Sequence, residues 1–121
     1  MNYFSEDELR CKCGCGDLKF DEQFLSILND IRRDINIPLS VSSGYRCSNH
    51  PIEAKKFKPG AHTTGKAVDL LVFGDKAYEL VQIAMKHGIK RIGVSQRGHK
   101  NKRFIHLDAD DRRISPVIWS Y

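Results

Sequence analysis

Apolar residues between Asp21 and Pro38 recur with a helical period. Phe24, Ile27, Leu28, Ile31 and Ile35 fall on one stripe, the spacing of an amphipathic helix laid against a core. Asp21 opens this helix as an N-cap, and Pro38 stops it. A second stripe, Ala77, Leu80, Val81 and Ala84, follows a capping Asp75 and ends at Gly88, where glycine suits a helix C-terminus. Ser5 before Glu6-Asp7-Glu8 predicts a further short helix near the start.

Alternating or short apolar runs predict strands at Leu39–Ser42, Ala67–Val72, Arg91–Ser95 and Phe104–Asp108. Between Cys47 and Thr64 the periodicity is lost, and this stretch is predicted to be a long loop, of a length that usually carries function. Helices and strands alternate without a repeating strand–helix–strand unit. The expected class is α+β, with a mainly antiparallel sheet and helices packed on one face.

Composition narrows this further. The 121 residues are 40% hydrophobic and 29% charged, which suits one globular domain over residues 1–121 and excludes fibrous and disordered classes. Leu70-Leu71-Val72-Phe73 is the best apolar run, far short of the roughly 18–20 residues that span a bilayer, so no membrane insertion is expected. The start, Met1 to Asp7, has neither a basic nor an apolar leader segment, and synthesis in the cytoplasm without a signal peptide is expected. The net charge of +5 suits an anionic partner. The densest basic stretch is Lys90–Arg103. It lacks interleaved aromatics and a recognition helix, so nucleic acid is not the expected partner.

Four cysteines are too few for a disulfide scaffold. Cys11, Cys13 and Cys15 alternate, and Cys47 stands far away. A metal cluster, a disulfide from Cys47 to one of the three, and reduced thiols all fit this pattern, whose spacing is not the Cys-x-x-Cys of zinc ribbons. A Cys47 disulfide would pin the chain after Arg46 to the first helix.

The chemistry concentrates at three other residues. Asp69 occupies a strand position that would ordinarily carry Val or Ile, and an unpaired buried carboxylate costs several kcal/mol. His106 interrupts a second apolar strand, with Asp108 two residues on and on the same face. His62 precedes Asp69 in Gly60-Ala61-His62-Thr63-Thr64-Gly65-Lys66-Ala67-Val68-Asp69. Two histidines and a carboxylate are the ligands of a catalytic zinc site with one position open; an Asp–His hydrogen bond without metal would use the same residues.

His62-x-x-Gly65-x-Ala67-x-Asp69, preceded by Ser43-Gly44-Tyr45-Arg46-Cys47-x-x-His50 and followed by Phe104-Ile105-His106-Leu107-Asp108, resembles the zinc D-Ala-D-Ala metallopeptidase family. That family includes small phage-encoded wall endopeptidases and shares its fold with hedgehog signalling domains. The resemblance implies one zinc ion held by His62, Asp69 and His106, and an oxyanion-stabilising Arg46. Two departures stand out. Gly60 replaces a usual Ser, and Arg103 occupies the position of a usual acidic general base, where arginine cannot take a proton. Asp108 and His99 are the candidate bases, and Asp108 is equally readable as a carboxylate orienting a ligand imidazole.

The resemblance thus implies a monomeric zinc peptidase acting on peptidoglycan stem peptides next to a D-amino acid, at the bacterial wall, released by a phage or carried on a virion. A catalytically weak zinc-containing wall-binding module is the alternative.

Overall fold

The computed structural model describes residues 2–121. Its α-helices are α1 (Glu6–Leu9), α2 (Glu22–Ile35), α3 (Pro51–Ala54) and α4 (Asp75–Lys86), and its strands are β1 (Ser40–Ser43), β2 (Ala67–Leu71), β3 (Arg91–Ser95), β4 (Phe104–Asp108) and β5 (Val117–Ser120). The strands form one sheet in the order β1-β2-β4-β3-β5. Every neighbouring pair is antiparallel except β3 and β5. The class is α+β, as the patterning predicts.

The caps explain where the helices start. Ser5 and Glu8 form a reciprocal capping box on α1, and the Asp21 carboxylate accepts from the Phe24 N–H of α2, satisfying amides that have no partner inside the helix. α2 ends before Pro38 is reached, at a left-handed Asn36. Asp75 is the first residue of α4 rather than its cap; Gly74 holds that position without a side-chain hydrogen bond. The predicted loop after Cys47 is also more ordered than its sequence suggests. His50 caps the single turn of α3, and a 3-10 turn spans Ala61–Thr64.

Phe24, Leu28 and Ile31 of α2 and Leu80 and Ala84 of α4 pack with Val68, Leu70, Ile92, Ile105 and Leu107 of the sheet. Each fully buried leucine in such a layer contributes roughly 1.5–3 kcal/mol. Because side chains alternate across a strand, this core fixes what the opposite face carries.

A second, smaller cluster joins Cys11, Tyr45 and Cys47, flanked by Cys13 and Phe20. Cys47 therefore meets the N-terminal cysteines, but of the alternatives left open by the sequence the disulfide is not formed: all four cysteines are free. The sulfurs approach to 3.4–3.7 Å, well beyond the S–S bond of about 2.05 Å.

Candidate active site

One row of paired residues runs across the sheet on the face away from the helices. Ser43 pairs with Asp69, Asp69 with His106, His106 with Gly93, and Gly93 with Trp119. The next row on that face pairs Ala67 with Asp108 and Asp108 with Arg91. The register that buries Val68 and Leu107 in the core therefore delivers Asp69, His106 and Asp108 side by side to the other face. His62 arrives from the 3-10 turn that leads into β2.

His62, Asp69 and His106 are 4%, 7% and 4% exposed, and each offers a ligand atom within 4.8 Å of the others. Asp69 Oδ1 lies 3.3 Å from His62 Nε2 and 2.9 Å from His106 Nδ1. The remote ring nitrogens have partners of their own. His62 Nδ1–H donates to the Gly44 carbonyl at 2.7 Å, and His106 Nε2–H donates to Asp108 Oδ2 at 2.6 Å. A metal-binding histidine ordinarily needs this arrangement, because the far hydrogen bond fixes the tautomer and points the other nitrogen at the ion.

The electrostatics agree. Burial disfavours the charged form of Asp69, but hydrogen bonds from His106 and His62 outweigh it and hold the carboxyl well below its usual range. Burial likewise works against a charged His106, and Asp108 and Asp69 outweigh it, raising the imidazole above its usual value. Asp69 and Asp108 thus both draw positive charge onto His106, and a divalent cation among the three ligand atoms would supply it more directly. The residues fit a metal.

Arg46 stands beside this group with all three guanidinium nitrogens engaged. Nε donates to Ser43 Oγ at 2.9 Å, one terminal nitrogen reaches Glu53 Oε2 at 3.2 Å, and the other lies 3.5 Å from Asp69 Oδ2. Glu53 was not singled out from the sequence. Its side chain is 1% exposed and is held by Arg46, Lys56 and the Gly60 N–H; nothing in the local pattern around it marks a buried acid. This contact bears on Gly60. A Cβ there would come within 2.9 Å of Glu53 Oε1 and 2.5 Å of Lys56 Nζ, so the serine usual in the family would have to displace the ends of these two side chains.

The two candidate bases separate in space. Asp108 lies at the site, but both oxygens are occupied: Oδ2 by His106, and Oδ1 by Arg91 Nε at 2.7 Å and the Asp110 N–H at 3.0 Å. His99 lies on an exposed turn, where its ring accepts from the Asn101 N–H. It is not among the residues lining the cleft. Arg103 turns away too, clasping the Gly98 carbonyl with two nitrogens.

The site opens into a cleft of about 670 Å³. Lys56, Lys58, Arg91 and Arg113 line its walls, three of them paired with the buried Glu53, Asp108 and Asp110, and Phe57, Phe104, Trp119 and Tyr121 give them aromatic surface. Trp119 and Tyr121 belong to the C-terminal end of the chain, which the sequence patterning left unassigned. Trp119 lies flat over Gly93, where a Cβ would strike the indole at 2.8 Å, and 5.3 Å from the His106 ring.

Replacing Asp108 by asparagine is expected to weaken metal binding about 10–100-fold, the usual effect of losing the carboxylate behind a ligand histidine. Competition against a chelating dye measures it, and an unchanged affinity would remove Asp108 from the centre.

A buried His-Asp-His triad with oriented imidazoles, opening into a cleft, is a candidate metal site whose donor set leaves one position open, as a catalytic metal site requires and a closed structural one does not. The family model described as Peptidase M15 matches residues 2–108. The chain belongs to this family of zinc D-Ala-D-Ala metallopeptidases, and it is a metallopeptidase. No curated protein matches it. The match ends at the last residue of β4, so Trp119 and Tyr121 lie beyond it.

Proposed function

We propose that the chain is a zinc endopeptidase of peptidoglycan, cutting a stem-peptide or crosslink bond next to a D-amino acid. The observation that carries this reading is the triad of His62, Asp69 and His106 beside Arg46, at the floor of a basic, aromatic-rimmed cleft. Zinc, when bound, supplies a Lewis acid for the scissile carbonyl and water acidified toward a pKa of about 7.

The chain's own residues do the rest. Asp108 orients His106, the Gly44 carbonyl orients His62, and Arg46 meets the oxyanion that develops on the carbonyl. Lys56, Lys58 and Arg113 face the carboxylates that stem peptides carry. Phe57, 99% exposed at the rim, leaves the cleft accessible to a polymer, which favours endopeptidase over carboxypeptidase action. The likeness of the three motifs to small phage-encoded wall endopeptidases supports an endolysin-type role at the bacterial wall, with the protein acting as a monomer.

Zinc-loaded protein is expected to release new amino termini from purified peptidoglycan, and to leave ordinary L-peptides intact. Mass spectrometry of the muropeptides identifies the bond. If peptidoglycan of several chemotypes yields no new termini, the wall-binding module takes the place of the enzyme.

A further inference from the structure

The N-terminal cysteines carry a separate chemistry. Cys11, Cys13, Cys15 and Cys47 each offer a sulfur, and all four lie within 4.8 Å of one another. The closest approaches are nearly equal: Cys13 to Cys47 at 3.4 Å, Cys11 to Cys13 at 3.5 Å, Cys11 to Cys47 at 3.6 Å and Cys15 to Cys47 at 3.7 Å. Disulfide formation would single out pairs at about 2 Å. A tetrahedron of thiolates around zinc, with Zn–S of about 2.3 Å, has edges of about 3.8 Å. The observed spacing belongs to the second arrangement.

The backbone is bent to produce it. In an extended strand, sulfurs two residues apart would stand about 6.6 Å from each other. Here Gly14 and Gly16 take left-handed conformations, with φ of 99° and 75°, and the turn gathers the alternating cysteines instead of spreading them. Backbone N–H groups then point at the sulfurs. Cys47 N–H donates to Cys11 Sγ and Asp17 N–H to Cys15 Sγ, both at 3.4 Å, as suits a sulfur carrying negative charge. Apart from Tyr45 and a flanking Phe20, little apolar surface holds this corner together.

We propose that Cys11, Cys13, Cys15 and Cys47 bind a second zinc ion, in a closed four-thiolate structural site distinct from the His62-Asp69-His106 centre. Four protein ligands leave no position for water, so this ion takes no part in turnover. Its work is mechanical. It ties the turn after α1 to Cys47, whose neighbour Arg46 reaches Asp69.

The test uses the full chain, purified with reductant. Elemental analysis is expected to find about two zinc ions per chain in the wild type and about one in Cys13→Ser/Cys15→Ser, a variant chosen because these two side chains are the less buried pair. Cobalt loaded in place of zinc gives a thiolate-to-cobalt charge-transfer band in the near ultraviolet. That band is expected to persist in the His62→Ala/Asp69→Ala/His106→Ala variant and to vanish in the cysteine variant. Mercurial titration of the wild type's thiols, which does not depend on any variant folding, should release one zinc ion as they are consumed. A single zinc ion that disappears with the His/Asp triad, a missing charge-transfer band, or titration that releases no zinc overturns the site. None of these readouts depends on activity, so the proposal stands or falls separately from the peptidase reading.

Discussion

Replacing Asp69 by alanine is expected to empty the sheet-face metal centre and reduce turnover to background. The carboxylate sits between both imidazoles, so its loss removes one ligand and the charge that holds the other two in place. The effect should exceed the roughly 10–100-fold loss expected for a supporting carboxylate such as Asp108. Elemental analysis, circular dichroism and the peptidoglycan assay together check it. Metal retained at full stoichiometry at this centre would remove Asp69 from the ligand set. The pH dependence follows in sign. Protons compete with metal for the histidines, so wild-type affinity falls as pH drops through about 6.5. His106 holds its proton more tightly than an ordinary histidine, which moves the onset of that fall to higher pH.

Arg46→Ala should lower kcat about 10²–10³-fold, the usual effect of removing one oxyanion donor, while metal content at the triad stays unchanged. Part of the response will be structural, because Glu53 loses one of its partners. Lys56 and the Gly60 N–H remain, which limits the stability loss to about 1–3 kcal/mol. Arg46→Lys separates the two effects. It restores a cation near Glu53, but a single ammonium cannot reach Ser43, Glu53 and Asp69 together as the guanidinium fork does. Thermal melts should therefore recover and kcat should not. Full activity in Arg46→Ala would return the residue to a purely structural role.

Local signals were legible where the physics is local. Ser5 and Asp21 cap helices because the free amides lie within three residues of them, and the stripe from Phe24 to Ile35 needs only the helical period. His106 and Asp69 betrayed themselves as polar residues in apolar strands. What escaped depends on contacts distant in sequence. Trp119 reaches the site only because β5 adds to β3 in parallel and Gly93 leaves space beneath the indole. Glu53 is buried by Arg46, Lys56 and Gly60 converging from a segment with no periodicity, and no window around it encodes that burial. His99 and Asp108 looked equivalent as bases by their distance along the chain from His106; the fold sends one to an exposed turn and the other against His106.

The cross-strand row has a consequence for how the chain finds its fold. Candidate ligands and core residues alternate on β2 and β4, so a slip of one position would send Asp69 and His106 toward the helices and turn Val68 and Leu107 outward. An ion bound at the triad at 100 times its dissociation constant would add about 2.7 kcal/mol to the aligned state and nothing to the slipped one. With metal bound as proposed, its supply would favour correct strand alignment, and chains that mature where the ion is scarce would rely on hydrophobic burial alone to set the register.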